Sequence, residues 1–480
     1  MSALAEAIRK RQPRTDLGAA SPFAGLRRRH AGTIDVVAQS VAATAPAGVL
    51  LIHPSALFAR SGHLAFLDVV ITATLVIGIA LVLGMFARRI SSTGSIYTFV
   101  ARGLGPRTGL VAGAALALGS LAIALSTLTS GASRVTQLVM STPDPPMWAV
   151  AVFTVGFGVV IAAVISRGLR MSTRMLLVIE TIAVLAVIAL SLAALAFAGW
   201  DLQLLVPTAT TDVSVEAIMA GVSFALIGFV GFESGVALAP ETRRPFATVP
   251  RALLLSAGAI SVVMLVGTAA QLSLVVEDPQ GASLVAITGF GGVVDGIVAV
   301  SFLACALAMT NAASRVAFAM SREGLLPSVF GRTSARGVPA AGALVLTSVV
   351  TLIPVAVFAL GGTRQELRML TSPAALIGFA LAYALVCLAA PVFLSRIGEL
   401  TWRPVLLAGV PLVALLAVLV FFVRQTALAN PLGLAGTVAI LGALVAAGMV
   451  RLARHPAIFL RVGMHDSPID TDCIDAGGRP

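Results

Sequence analysis

The chain has 480 residues, of which 58% are hydrophobic and 11% charged, with a mean hydropathy of +1.01. Soluble domains carry about 25% charged residues and need polar surface around each core, so this composition excludes a soluble enzyme, a disordered chain and a nucleic-acid-binding module. The formal charge of +11 rests on 31 arginines and one lysine, Lys10, gathered in short segments between apolar runs, which is the pattern of membrane topology in a lipid bilayer.

Residues 1–32 carry Arg9, Lys10, Arg11, Arg14 and the run Arg27–Arg29, with no short apolar stretch and cleavage site ahead of them, and read as a cytoplasmic tail. A helix crossing hydrocarbon needs about 20 apolar residues. Five such stretches fall within 33–200, near 33–59, 64–87, 109–138, 147–165 and 175–198. Five more fall within 201–396, near 214–240, 250–276, 293–320, 338–360 and 371–395. Two others, 403–424 and 431–450, occupy 397–450, and 451–480 reads as a second cytoplasmic tail. With the N-terminus inside, twelve crossings put 26 basic residues in cytoplasmic segments and 5 outside, leaving Arg315 within a span. Moving the count by one span destroys that asymmetry. The sequence predicts an all-α integral membrane protein with 12 transmembrane helices and both termini cytoplasmic.

Two spans are interrupted. The first contains Ala45–Pro46–Ala47–Gly48, and the sixth contains Gly228, Gly231 and Glu233 within Ala225–Glu233. Unwinding frees backbone N–H and C=O groups that hydrocarbon cannot satisfy, so it persists where protein, water or a polar ligand pairs with them. Either interruption alone reads as a close-packing point. Span 6 is span 1 plus five, the spacing of two inverted five-helix repeats followed by two further helices, in which broken helices mark the substrate site.

Four segments resemble one family. They are Ile34–Ser40 leading into Ala45–Gly48; Ser92–Phe99, with Ser91 where a proline usually stands; Ser223–Ala225 and Gly231–Ser234 with Glu241–Pro245 and Val249–Ala252; and Asn311–Arg315 with Ala319–Pro327. In order and position they are similar to the amino acid–polyamine–organocation superfamily, specifically its bacterial amino-acid permeases. The resemblance implies two inverted repeats, alternating access and a zwitterionic amino acid held between helices 1 and 6. The residues support that chemistry. Amides at Ala47 and Gly48 start the second half of helix 1 and suit a carboxylate, while carbonyls near Ala45 and at Ile227–Gly228 suit an ammonium group. The expected substrate-binding set is Ala45, Pro46, Ala47, Gly48, Phe224, Ile227, Gly228, Phe229 and Gly231. Ile227 stands where relatives place a large gate aromatic, with Phe224 and Phe229 nearby.

Ionisable groups inside spans are costly and mark functional sites by default. Glu180, Glu233 and Arg315 each fall roughly 9–12 Å in from the cytoplasmic border at 1.5 Å per residue, in one layer below the expected substrate site. They are candidates for a coupling or gating network, the reading preferred for Glu233; for Glu180 it stands level with a structural role, and for Arg315 a structural ion pair with a snorkelling side chain is preferred. Relatives that use a helix-5 lysine in place of a sodium ion are no guide to coupling, because the aligned stretch Met175–Ala183 offers Glu180 and no base. Proton coupling or exchange is the expectation. Asp35 and Asp68 are expected to cap helices, and His53 and His63 to be solvated in the first outer loop. Cys305, Cys387 and Cys473 have no metal or disulfide spacing, the histidines are scattered, and no nucleophile–base pair is visible. The expectation is a transporter without cofactor, not an enzyme. A polyamine carrier is the alternative, and it would need further carboxylates near the site beyond Glu233. The sequence does not indicate an oligomeric state.

Overall fold

The computed structural model describes residues 21–167, 169–197, 199, 205, 213–277 and 291–466. Arg9, Lys10, Arg11, Arg14 and Cys473 lie outside the described residues. The helices are α1 (Thr33–Thr44), α2 (Pro46–Ser61), α3 (Ala65–Ala87), α4 (Ile96–Leu104), α5 (Pro106–Met140), α6 (Met147–Arg167), α7 (Leu169–Phe197) and α8 (Val215–Phe229). After a 3-10 segment, Ser234–Glu241, come α9 (Pro245–Glu277), α10 (Gly291–Arg322), α11 (Ala340–Ala359), α12 (Arg364–Arg396), α13 (Trp402–Ala429), α14 (Pro431–Arg454) and α15 (Pro456–Phe459). Among the described residues the only β-type pairings are two isolated bridges, Ala31–Thr242 and Ser91–Asp466.

Ten segments among the described residues are long and apolar enough to cross a membrane, as expected of a multi-pass membrane protein. The first is 55 residues long, Thr33–Ala87, and turns at Gly62–Leu64. Local chemistry sets several boundaries. α12 begins at Arg364, ahead of the expected 371, because Thr363 and Glu366 form a reciprocal capping box with bonds of 2.8 and 3.2 Å. α14 begins at Pro431, where the Asn430 side chain accepts from Gly433 N–H at 3.1 Å.

Burial separates core from periphery. In α5 and α12, 72% of the most apolar stretch is buried, against 22% and 17% in α13 and α14, so the first pair forms the centre and the last pair the periphery. α5 packs on both α10 and α12. Its approach to α12 is backbone-close, since a Cβ on Gly378 would lie 2.6 Å from the Ala115 carbonyl and 2.7 Å from Gly119 N. Without a hydrophobic drive between helices in lipid, such close contact is a principal source of cohesion.

Candidate functional site

The first break lies at one residue. Ala45 adopts φ 46°, ψ 54° between α1 and α2. A residue with a Cβ pays of order 1–3 kcal/mol for that left-handed geometry, so neighbouring contacts must hold it. Pro46 follows at the first helical position, where its missing N–H is harmless and its fixed φ starts a new helix. Of the first-turn amides in α2, Gly48 N–H donates to Ser301 Oγ at 3.2 Å and Val49 N–H to the Ala45 carbonyl at 2.8 Å. Ala47 supplies the remaining one.

The second break is shorter than the expected Ala225–Glu233. α8 continues through Ile227 and Gly228 to Phe229, and the chain leaves helical geometry at Val230 (φ −59°, ψ 136°) and Gly231 (φ +111°). Gly228 is a close-packing position, because a Cβ there would lie 2.8 Å from His53 Nδ1 and 2.9 Å from Val49 Cγ1. Gly231 is the turning point. A Cβ on it would lie 2.7 Å from the Ala43 carbonyl and 2.8 Å from Met309 Cε. The two breaks therefore touch, backbone to backbone. They are tied further by Ser234 Oγ donating to the Gln39 carbonyl at 3.1 Å and Gly235 N–H to Ser40 Oγ at 3.2 Å.

The three charged residues separate into different networks. Glu233, buried, accepts from Tyr383 Oη at 2.5 Å and from Gly231 N–H at 3.2 Å, so it braces the turn from within. Glu180 accepts from Ser301 Oγ at 3.2 Å through Oε2, while its buried Oε1 has no hydrogen-bond partner among the described residues. A short chain thus runs from the Gly48 amide through the Ser301 hydroxyl to the Glu180 carboxyl. Arg315 pairs with neither acid. Its Nε donates to Glu241 Oε1 at 2.7 Å, and its Nη1 donates to the Asn311 side-chain oxygen, whose amide donates to Gln39 Oε1 at 2.8 Å. At 1% exposure Arg315 does not snorkel.

Above the breaks, toward the end carrying Arg60 and Arg364, opens a cavity of about 740 Å³. Phe224, Ile227 and Phe302 line it, with Ser126, Ser223 and His53. Phe302 forms part of the wall against α2, as a Cβ on Gly48 would lie 2.8 Å from its ring. The Arg60 guanidinium sits 3.9 Å from the Phe224 ring centroid, and the His53 ring packs against Phe224 in a tilted arrangement, centroids 4.5 Å apart. His53 is thus a wall residue of α2 and not a solvated loop residue. Phe229 turns into the core at 1% exposure, and Ala45, Pro46, Ala47 and Gly48 are buried outside the lining, as are Glu180 and Glu233.

Asp35 reaches back to Gly32 N–H at 2.8 Å, capping α1 from its third position. Asp68 caps nothing. It lies in the first turn of α3, fully buried, both carboxyl oxygens without a hydrogen-bond partner among the described residues, and packs against Gly221.

The opposite end is held together by hydrogen bonds and an ion pair. Tyr97 donates to Glu323, whose Oε1 accepts from Gly463 and Met464 N–H at 3.0 and 2.8 Å. Asp466 pairs with Arg28 at 2.5 Å and accepts from Ser21 Oγ at 2.6 Å. Burial pushes the Glu323 carboxyl up from 4.5 to about 7, against the hydrogen bonds from Tyr97, Met464 and Gly463. Sequence reasoning missed Ser301, Tyr383, Gln39 and Glu323. One signal was present: the chain has only two tyrosines, Tyr97 and Tyr383, and each donates to a buried glutamate.

Paired helix breaks at the centre of a multi-helix membrane bundle are the arrangement of secondary transporters. The family profile described as amino acid permease matches residues 35–438, and the chain belongs to that family, within the amino acid–polyamine–organocation superfamily. It is also 29% identical, over 150 residues, to the branched-chain amino acid permease BcaP of Lactococcus lactis subsp. cremoris (strain MG1363). That match spans 29% of this chain and 32% of the relative.

Proposed function

We propose that the protein is a secondary active transporter carrying a zwitterionic amino acid across the cell membrane by alternating access. The observation that carries this reading is the contact between the two breaks, with Gly231 against the Ala43 carbonyl. On this reading the N-terminus of α2, with the Ala47 amide, and the carbonyls ending α8 serve one bound molecule from the two sides of that contact. Together they match a carboxylate and an ammonium without any charged side chain. Dividing Thr33–Ala87 at its turn and counting Leu169–Phe197 brings ten segments to the twelve spans of two inverted five-helix repeats plus two. The asymmetry of the basic residues supports an orientation with both termini in the cytoplasm and the Arg60 cavity outside.

A branched or other neutral side chain fits the apolar walls Phe224, Ile227 and Phe302, and agrees with the relative's name. A polyamine is disfavoured because among the described residues no Asp or Glu lines the cavity and Glu233 is occupied by Tyr383. Coupling runs through Glu180, a proton-exchangeable group joined to the helix-1 break by one hydroxyl. The test is uptake into proteoliposomes of labelled leucine, competed with a panel of amino acids and diamines. Competition by neutral amino acids and none by putrescine is expected. The reverse pattern overturns the substrate assignment.

A further inference from the structure

Positive-inside topology leaves five basic residues at the outer side, and four of them, Arg60, Arg134, Arg364 and Arg368, line the same cavity. Among the described residues no carboxylate lines it. Arg134 is committed to Asp295 at 2.8 Å. The other three have no acid within ion-pair distance among the described residues; Arg368 reaches Gln365 at 2.5 Å, and Arg60 bonds the Ala56 carbonyl at 2.6 Å while lying over Phe224. Arg134, Arg364 and Arg368 also border a neighbouring hollow where Asp144 stands, so one acid is near the rim and none is inside.

Concave, low-dielectric walls lined with one sign of charge focus the field and concentrate the opposite ion. Here Phe302 forms part of the wall on the side of the helix-1 break, its ring against Gly48. We propose that the outer cavity is an anion-recognition vestibule that captures the substrate's carboxylate, through Arg60, Arg364 and Arg368, before the substrate passes Phe302 to the paired breaks. The proposal rests on the reading of the chain as an amino-acid transporter. It also accounts for a spacing that the breaks alone do not. Phe224, under Arg60, lies five residues, roughly 7.5 Å of helix, before α8 ends at Phe229, so the arginines form a separate, earlier station.

The test is arginine labelling with p-hydroxyphenylglyoxal added outside proteoliposomes of phosphatidylcholine, read residue by residue by mass spectrometry. Leucine and isovalerate, which carry the carboxylate, are expected to slow labelling of Arg60, Arg364 and Arg368 at least fivefold. Isoamylamine and leucine methyl ester, which lack it, are expected to do nothing, and Arg424, outside the lining, serves as the reference. Equal labelling with and without isovalerate overturns the vestibule. Protection by phosphatidylglycerol alone, with no further effect of isovalerate, also overturns it, because the occupant is then a lipid headgroup. Leucine uptake measured in the same vesicles separates the two readings. Protection without leucine uptake fails the transport assignment and keeps the anion site, and uptake without protection does the opposite.

Discussion

Glu323 offers a prediction whose size follows from its surroundings. Its carboxyl is 1% exposed and holds the Gly463 and Met464 amides, so the segment Leu460–Asp466 is docked partly through this group. Undocking returns the carboxyl to its ordinary value of 4.5 from about 7. A group whose docked pKa is raised stabilises docking fully below pH 4.5 and loses that contribution as pH rises through 7. Between pH 6 and 8 the loss amounts to about 1.3 kcal/mol, close to a tenfold rise in opening. The assay is hydrogen exchange of the Gly463 and Met464 amides, corrected for intrinsic rates, in wild type and in Glu323→Gln. The glutamine keeps an oxygen for both amides and an NH₂ for the Tyr97 hydroxyl but cannot ionise. Burial lowers the pKa of His465 in the same segment, so its protonation opposes docking at acid pH, equally in both proteins. Wild type should lose about tenfold more protection than Glu323→Gln from pH 6 to 8. A parallel pH response in the two proteins would refute the reasoning.

At the breaks, Gly231→Leu and Gly48→Leu should abolish leucine uptake while the protein still inserts, because each side chain must occupy space now held by Ala43 and Met309 or by Phe302; wild-type uptake by both would remove the site. Arg315→Met should destabilise by about 3–5 kcal/mol in thermal or denaturant melts, since Glu241 is left buried and unpaired, and Arg315→Met with Glu241→Leu should recover most of it. Glu180→Gln should flatten the response of uptake to an imposed pH gradient; strict sodium dependence, or an unchanged pH response, counts against Glu180. Leucine methyl ester should compete with leucine at least tenfold more weakly than leucine itself, read as inhibition constants for uptake.

The class of the molecule was legible in composition alone, because lipid imposes long apolar helices whatever their packing. The position of the first break was legible too. Proline and glycine at Pro46 and Gly48 act on their own backbone, and Ala45 is where the helix stops. The second break was readable only to within a turn, since Gly228 and Gly231 look alike in sequence and differ in what touches them: His53 and Val49 at one, the Ala43 carbonyl at the other. Partner choice lay beyond sequence altogether. Equal depth put Glu180, Glu233 and Arg315 in one layer, yet helix rotation directs them to Ser301, Tyr383 and Glu241 respectively. A span's residues determine its depth along the membrane normal, whereas its azimuth is set by how small and large side chains of neighbouring helices interlock. The same division holds for the outer arginines. The outer side is what the count of charges leads one to expect of them, and their convergence on one cavity is a property of the folded bundle.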